Sequence, residues 1–190
     1  MAMREFRNRS LRLEGCVRCN RWHPLGKALK PPATLSPWLL ESGSLTLRLQ
    51  RHFGKIDVRV LRQAQGQPYR DEELGRFPLA FVREVVLSAS DQKPLVVARS
   101  VLPVIPRGQL SVMFRQLGKQ ALGTLLFTRR GFVRCQREWA LLDARHPLCR
   151  MAKAEQGMSV PSKLWARRAV FSLSQFPSQF VQVTEVFCSS

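Results

Sequence analysis

Acidic side chains are scarce: 13 Asp+Glu stand against 31 Lys+Arg, a formal net charge of +18 over 190 residues. A deficit of that size excludes an electrically balanced surface and leaves one that draws in polyanions or small anions by long-range steering. Long apolar runs are missing too. No stretch is long enough to span a bilayer, and Met1 to Arg12 alternates basic and apolar residues where an export signal needs a continuous apolar core. The five cysteines, an odd number in a chain read as lacking an export signal, point to reduced thiols and a cytoplasmic location rather than to a disulfide framework. Also lacking are internal repeats, low-complexity tracts and a glycine loop of the phosphate-cradling kind. What remains is a chain with 45% hydrophobic residues, long enough for one domain whose core can hold a ligand cavity.

Residues 1–35 are basic, lack sustained periodicity and end in Lys30-Pro31-Pro32, which reads as a loosely ordered arm ahead of one domain over residues 36–190. Ser36-Pro37 reads as a helix start with its stop at Gly43, and Ser44 caps a second helix, Leu45 to Phe53, ended by Gly54. Ile56, Val58 and Val60 alternate with Asp57, Arg59 and Leu61 as in a strand with one apolar face. The charged stretch from Gln63 to Arg76 reads as a loop or short helix. Phe81 to Leu87 and Leu95 to Val104 are stronger strands, joined by a turn at Ser88 to Pro94. Gln109 to Gln116 reads as a helix, Leu122 to Phe127 as a further apolar stretch and Gly131 to Cys135 as a strand. Glu138 to Lys163, interrupted by Pro147, Gly157 and Pro161, reads as a surface excursion that is partly helical. Ala169 to Leu173 and Phe180 to Phe187 form a closing hairpin. The resulting class is α+β, a single antiparallel β-sheet with helices on one face.

Three charges fall on apolar strand faces. Period-two alternation puts Arg83 in a row with Phe81, Val85 and Leu87, Arg99 with Leu95, Val97 and Val101, and Glu185 with Val181, Val183 and Phe187. A buried charge must be paired, exposed at an edge or reserved for a charged ligand. An internal Arg–Glu ion pair is one reading. The excess of arginine over glutamate favours the other, a pocket in which guanidinium grips a small carboxylate. Backbone donors suit the same role: Leu45 opens a helix just after Ser44, and Leu122 precedes Gly123, which lets backbone approach a ligand. On spacing alone both leucines read better as core residues with a cap and a turn beside them.

Other signals carry less. Cys16-x-x-Cys19 with His23 and His146-x-x-Cys149 contains the ligand types of a zinc site but not the spacing of a standard second half, so no metal is assigned. Arg129-Arg130 and Arg167-Arg168 near Trp165 form a basic aromatic patch without a nucleic-acid reader motif, which reads as a solvated basic face rather than as an obligatory nucleic-acid site.

Four segments in order, Arg83-Glu84-Val85-Val86-Leu87, Ala98-Arg99-Ser100-Val101-Leu102-Pro103-Val104, Leu117-Gly118-Lys119-Gln120-Ala121-Leu122-Gly123 and Thr184-Glu185-Val186-Phe187, resemble the bacterial chorismate pyruvate-lyase family from about Trp38 to Phe187. The resemblance implies a ligand buried beneath two helical flaps, the Trp38 to Phe53 hairpin being one, and conversion of chorismate to 4-hydroxybenzoate and pyruvate without a cofactor. It places Arg83 and Glu185 as catalytic residues. Arg83 and the Leu45 and Leu122 amides grip a carboxylate, Glu185 holds the ring hydroxyl, and Arg99 takes the enolpyruvyl carboxylate. It further implies a monomer that serves ubiquinone biosynthesis by passing 4-hydroxybenzoate to a membrane prenyltransferase. Two rivals are a non-catalytic small-carboxylate sensor of the same fold and a basic nucleic-acid-binding protein.

Overall fold

Alternating apolar residues on both sides of the central strands require cover on both sheet faces, and the computed structural model supplies it. It describes residues 22–24, 30–72, 74, 77–91, 93–104, 109–118, 120–128, 131–157 and 161–188. The elements are β1 (His23–Pro24), α1 (Ser36–Leu39), α2 (Leu45–Phe53), β2 (Asp57–Gly66), β3 (Ala80–Ser88), β4 (Pro94–Pro103), α3 (Gln109–Arg115), α4 (Leu122–Thr128), β5 (Phe132–Asp143), α5 (Pro147–Gln156), β6 (Lys163–Leu173) and β7 (Phe180–Phe187). Among the described residues the strands form one seven-stranded sheet in the order β1-β5-β6-β7-β4-β3-β2. Every neighbouring pair is antiparallel.

On the front face Val85, Leu87, Val96 and Ala98 pack under Leu39 of α1 and Leu45 and Leu49 of α2, while Phe81, Leu102 and Val181 pack under Leu110 and Phe114 of α3 and Leu122 and Leu126 of α4. On the rear face Val86, Val97 and Val186 meet Leu148, Cys149 and Ala152 of α5. Every residue of β3 is buried, which explains how both an arginine and a glutamate on adjacent positions leave solvent.

Local chemistry sets the helix ends. Ser44, in extended conformation, accepts the Leu47 amide at 3.4 Å and caps α2, and Gly54 stops it at φ 78°. His146 caps α5 by accepting the Leu148 amide on Nδ1 at 3.2 Å, ahead of Pro147. The expected cap at Ser36 is different. Ser36 lies inside α1, and its hydroxyl donates back to the Pro32 carbonyl at 3.1 Å.

Two expectations change. The excursion at 138–163 is mostly regular structure: β5 runs on to Asp143, α5 follows, and β6 begins at Lys163. Charge hid the alternation, since Glu138 follows Gln136 and Arg137 in a polar run and is matched across the ladder by Arg168, whose Nε donates to its carboxylate at 2.5 Å. The segment read as an arm also contributes to the domain. Trp22 is 7% exposed, packs in the rear core, and donates from its indole N–H to Asp71 at 2.9 Å, while His23–Pro24 pair with β5. Residues 1–21, with Cys16 and Cys19, lie outside the described residues. The downstream half of the cysteine-histidine set is already engaged: Cys149 is fully buried in the rear core, and His146 caps α5 with one ring nitrogen and faces Asp71 at 3.1 Å with the other.

Candidate active site

Strand register builds the floor of the site. One cross-sheet row runs Arg83, Ser100, Val183, Ala169, Arg137 over β3, β4, β7, β6 and β5, and the next front-face row runs Val85, Ala98, Glu185, Arg167, Trp139. Small side chains thus occupy the middle and charged ones stand around them. Arg83 and Glu185 share the front face, and two strand spacings with two residue steps put their Cα atoms about 12 Å apart.

The flaps form the roof. A Cβ on Gly123 would lie 2.9 Å from the Ser44 hydroxyl oxygen, so glycine is what lets the start of α4 sit against the cap of α2. This contact brings the N-terminal ends of α2 and α4, and with them the backbone around Leu45 and Leu122, to one place. Gly123→Ala and Ser44→Ala are therefore expected to couple by about 1 kcal/mol, the alanine at 123 being better tolerated once the hydroxyl is gone. Additive costs in a double-mutant unfolding cycle would mean that the flaps do not meet there.

Arg83 is 2% exposed, and its described hydrogen-bond partners are all neutral. Nε donates to Gln63 Oε1 at 3.1 Å, and Nη2 donates to the carbonyls of Gly118 and Gln120 at 2.8 and 3.0 Å, beneath the turn that leads into α4. Burial pulls its pKa below the ordinary guanidinium value. A cation desolvated without a carboxylate is an incomplete arrangement, and an incoming anion completes it.

A cleft, open at its mouth, lies between floor and roof. Leu45, Gly123, Val183 and Glu185 line it, together with Glu41, Arg134, Arg137 and Arg167, whereas Arg83 and Leu122 are not among its lining residues. The Leu122 side chain belongs to the front core, so only its backbone can serve a ligand. Glu185 accepts from Arg167 Nε at 2.5 Å, and the same guanidinium donates through Nη1 to the carbonyls of Trp38 and Glu41 at 2.8 and 3.1 Å. Glu41 is held below its usual range, first by Arg48 at 2.6 Å and then by the Gly43 amide.

Arg99 requires a correction. It is 1% exposed and points to the rear face, where Nε meets Glu72 Oε1 and Nη1 meets Glu84 Oε1, each at 2.6 Å, over the Tyr69 ring at 3.6 Å. Desolvation works against its charge, yet the contacts with Glu72 and Glu84 raise its pKa overall. Register is the reason: Arg83 pairs with Ser100, so Arg99, one step along, faces the opposite way beside Glu84. A fully paired arginine on that side holds Gln67, Tyr69 and Glu72 and has no route to the front cleft.

Arg134, Arg137 and Arg167 were not among the expected site residues. Arg167 was visible only as part of a basic pair, and Arg137 lay next to a segment read as excursion. Their signal is positional, since each falls on the front face of β5 or β6 once the register is known.

Comparison with known proteins agrees with this geometry. Residues 19–190 match the family model described as chorismate lyase. A protein of Dechloromonas aromatica (strain RCB) named "Probable chorismate pyruvate-lyase" is 43% identical over 157 residues, covering 80% of this chain and 85% of that one. A namesake from Halorhodospira halophila (strain DSM 244 / SL1) is 36% identical, over 87% and 92% of the two chains. Among solved structures, the effector domain of PhnF from Mycobacterium smegmatis shares the fold at a TM-score of 0.51, with 18% identity over 79% of this chain and 91% of that one. With the family model covering residues 19–190 and these relatives 36–43% identical over most of the chain, the chain belongs to the chorismate lyase family.

Proposed function

We propose that the protein converts chorismate to 4-hydroxybenzoate and pyruvate. The observation that carries this reading is Arg83, a buried guanidinium with neutral partners, set across a small-residue floor from Glu185. A ring with a carboxylate at one end and a hydroxyl at the other fits between them. The ring carboxylate sits against Arg83 with the Leu45 and Leu122 amides, where two helix starts favour an anion. Glu185 accepts the hydrogen bond of the ring hydroxyl.

In the reaction the ether bond to the ring breaks and the hydrogen on the adjacent, hydroxyl-bearing carbon is lost, leaving an aromatic phenol. The enolpyruvyl methylene gains a proton and becomes the pyruvate methyl. Aromatisation supplies the driving force, so no redox group, metal or covalent nucleophile is needed. The protein's part is to hold the reactive conformer and to offset charge as it shifts onto the ether oxygen.

The wider reading is of a cytoplasmic, monomeric enzyme that passes 4-hydroxybenzoate to a membrane prenyltransferase for ubiquinone synthesis. No helix among the described residues is long and apolar enough to cross a membrane. The test is turnover by purified protein in the presence of a chelator, with both products quantified. Equal amounts of 4-hydroxybenzoate and pyruvate are expected. Tight binding of 4-hydroxybenzoate without turnover would move the protein to the sensor reading, and activity restored only by a metal would overturn the cofactor-free chemistry.

A further inference from the structure

With Arg99 on the rear face, the second carboxylate of chorismate needs another partner, and the connectivity of the substrate says where. The hydroxyl-bearing ring carbon is opposite the ring carboxylate, and the ether-bearing carbon is its neighbour. A ring placed with its carboxylate at Arg83 and its hydroxyl at Glu185 therefore sends the enolpyruvyl group out beside Glu185. On the side away from Arg83, β6 and β5 present Arg167, Arg137 and Arg134 to the cleft.

These three differ in how their charge is met. Arg167 is matched by Glu185, and Glu41 by Arg48. Arg137 Nη2 donates only to the carbonyls of Leu40 and Glu41, at 2.8 and 3.2 Å, and Arg134 donates to the Ser42 carbonyl. Neither has a carboxylate among its hydrogen-bond partners in the described residues. Burial, and then repulsion within the cluster, lower both of their pKa values. Two guanidinium groups with neutral partners in an open cleft form a carboxylate site, because their planar forks match that anion and its arrival relieves the repulsion between them.

We propose that Arg137, with Arg134, binds the enolpyruvyl carboxylate of chorismate. The same side chains hold the segment between α1 and α2, so the substrate arm docks on groups that already fasten the first flap. After cleavage that carboxylate leaves as pyruvate, and 4-hydroxybenzoate makes no contact with this subsite.

The inference rests on the lyase reading, and the experiment separates the two. Arg137→Met and Arg134→Met keep the aliphatic stems and remove the charge. For the wild-type protein and each variant, the chorismate concentration giving half the maximal single-turnover rate is compared with the Kd for 4-hydroxybenzoate, after thermal unfolding has shown each to be folded. Loss of a charge-assisted contact is expected to raise the chorismate value about tenfold or more in Arg137→Met, with a smaller rise in Arg134→Met and no change in 4-hydroxybenzoate affinity. Parallel weakening of both ligands would show that the arginines serve only the flap, which also carries the Leu45 amide, and would overturn the subsite. Unchanged half-saturation in both variants would overturn it equally. Absence of turnover in the wild-type protein would sink the lyase reading itself.

Discussion

Replacing Arg83 with alanine is expected to weaken 4-hydroxybenzoate binding by about 10- to 150-fold, the equivalent of the roughly 1.5–3 kcal/mol that a hydrogen bond to a charged group contributes. The loss in kcat/KM for chorismate should be at least as large, because the same contact holds the ring through the elimination. Stability should suffer less. Arg83 has no buried carboxylate to abandon; Glu185 is matched by Arg167, and what loses its donor is Gln63 Oε1 with the carbonyls of Gly118 and Gln120. Calorimetric titration with product, beside thermal unfolding, checks both halves. Normal product affinity in a folded Arg83→Ala protein would remove the residue from the site.

Arg99 should behave in the opposite way. Arg99→Met strands two buried carboxylates, Glu72 and Glu84, and is expected to cost about 3–5 kcal/mol of stability. Among the molecules that remain folded, 4-hydroxybenzoate affinity should be unchanged, since the sheet stands between this cluster and the cleft. Denaturant unfolding gives the first number and titration of the folded protein the second. A small stability loss with a large drop in chorismate affinity would return Arg99 to the ligand.

The contrast between these two arginines shows what the sequence can and cannot reveal. Alternation along one strand correctly sets Arg83 with Phe81 and Val85, and Arg99 with Val97 and Val101. It is silent on whether the two rows face the same way, which depends on a one-residue register across the ladder. Glu84, opposite Arg83 on its own strand, was the visible hint, because a second buried charge on the rear needs a partner. The helix from Leu45 to Phe53 and its Ser44 cap were legible because capping is local chemistry. The length of β5 and β6 was not, since Glu138 and Arg168 interrupt their alternation and meet only after the strands have paired. For the same reason the arginines of the cleft looked like ordinary surface charge.

A structure of the protein with bound 4-hydroxybenzoate tests the account most directly. It should show the product in the front cleft, its carboxylate between the Arg83 guanidinium and the Leu45 and Leu122 amides and its phenol oxygen on Glu185, with Arg137 left on the flap carbonyls. Product bound on the rear face beside Arg99, or in the front cleft with its carboxylate turned to Arg137, would contradict it.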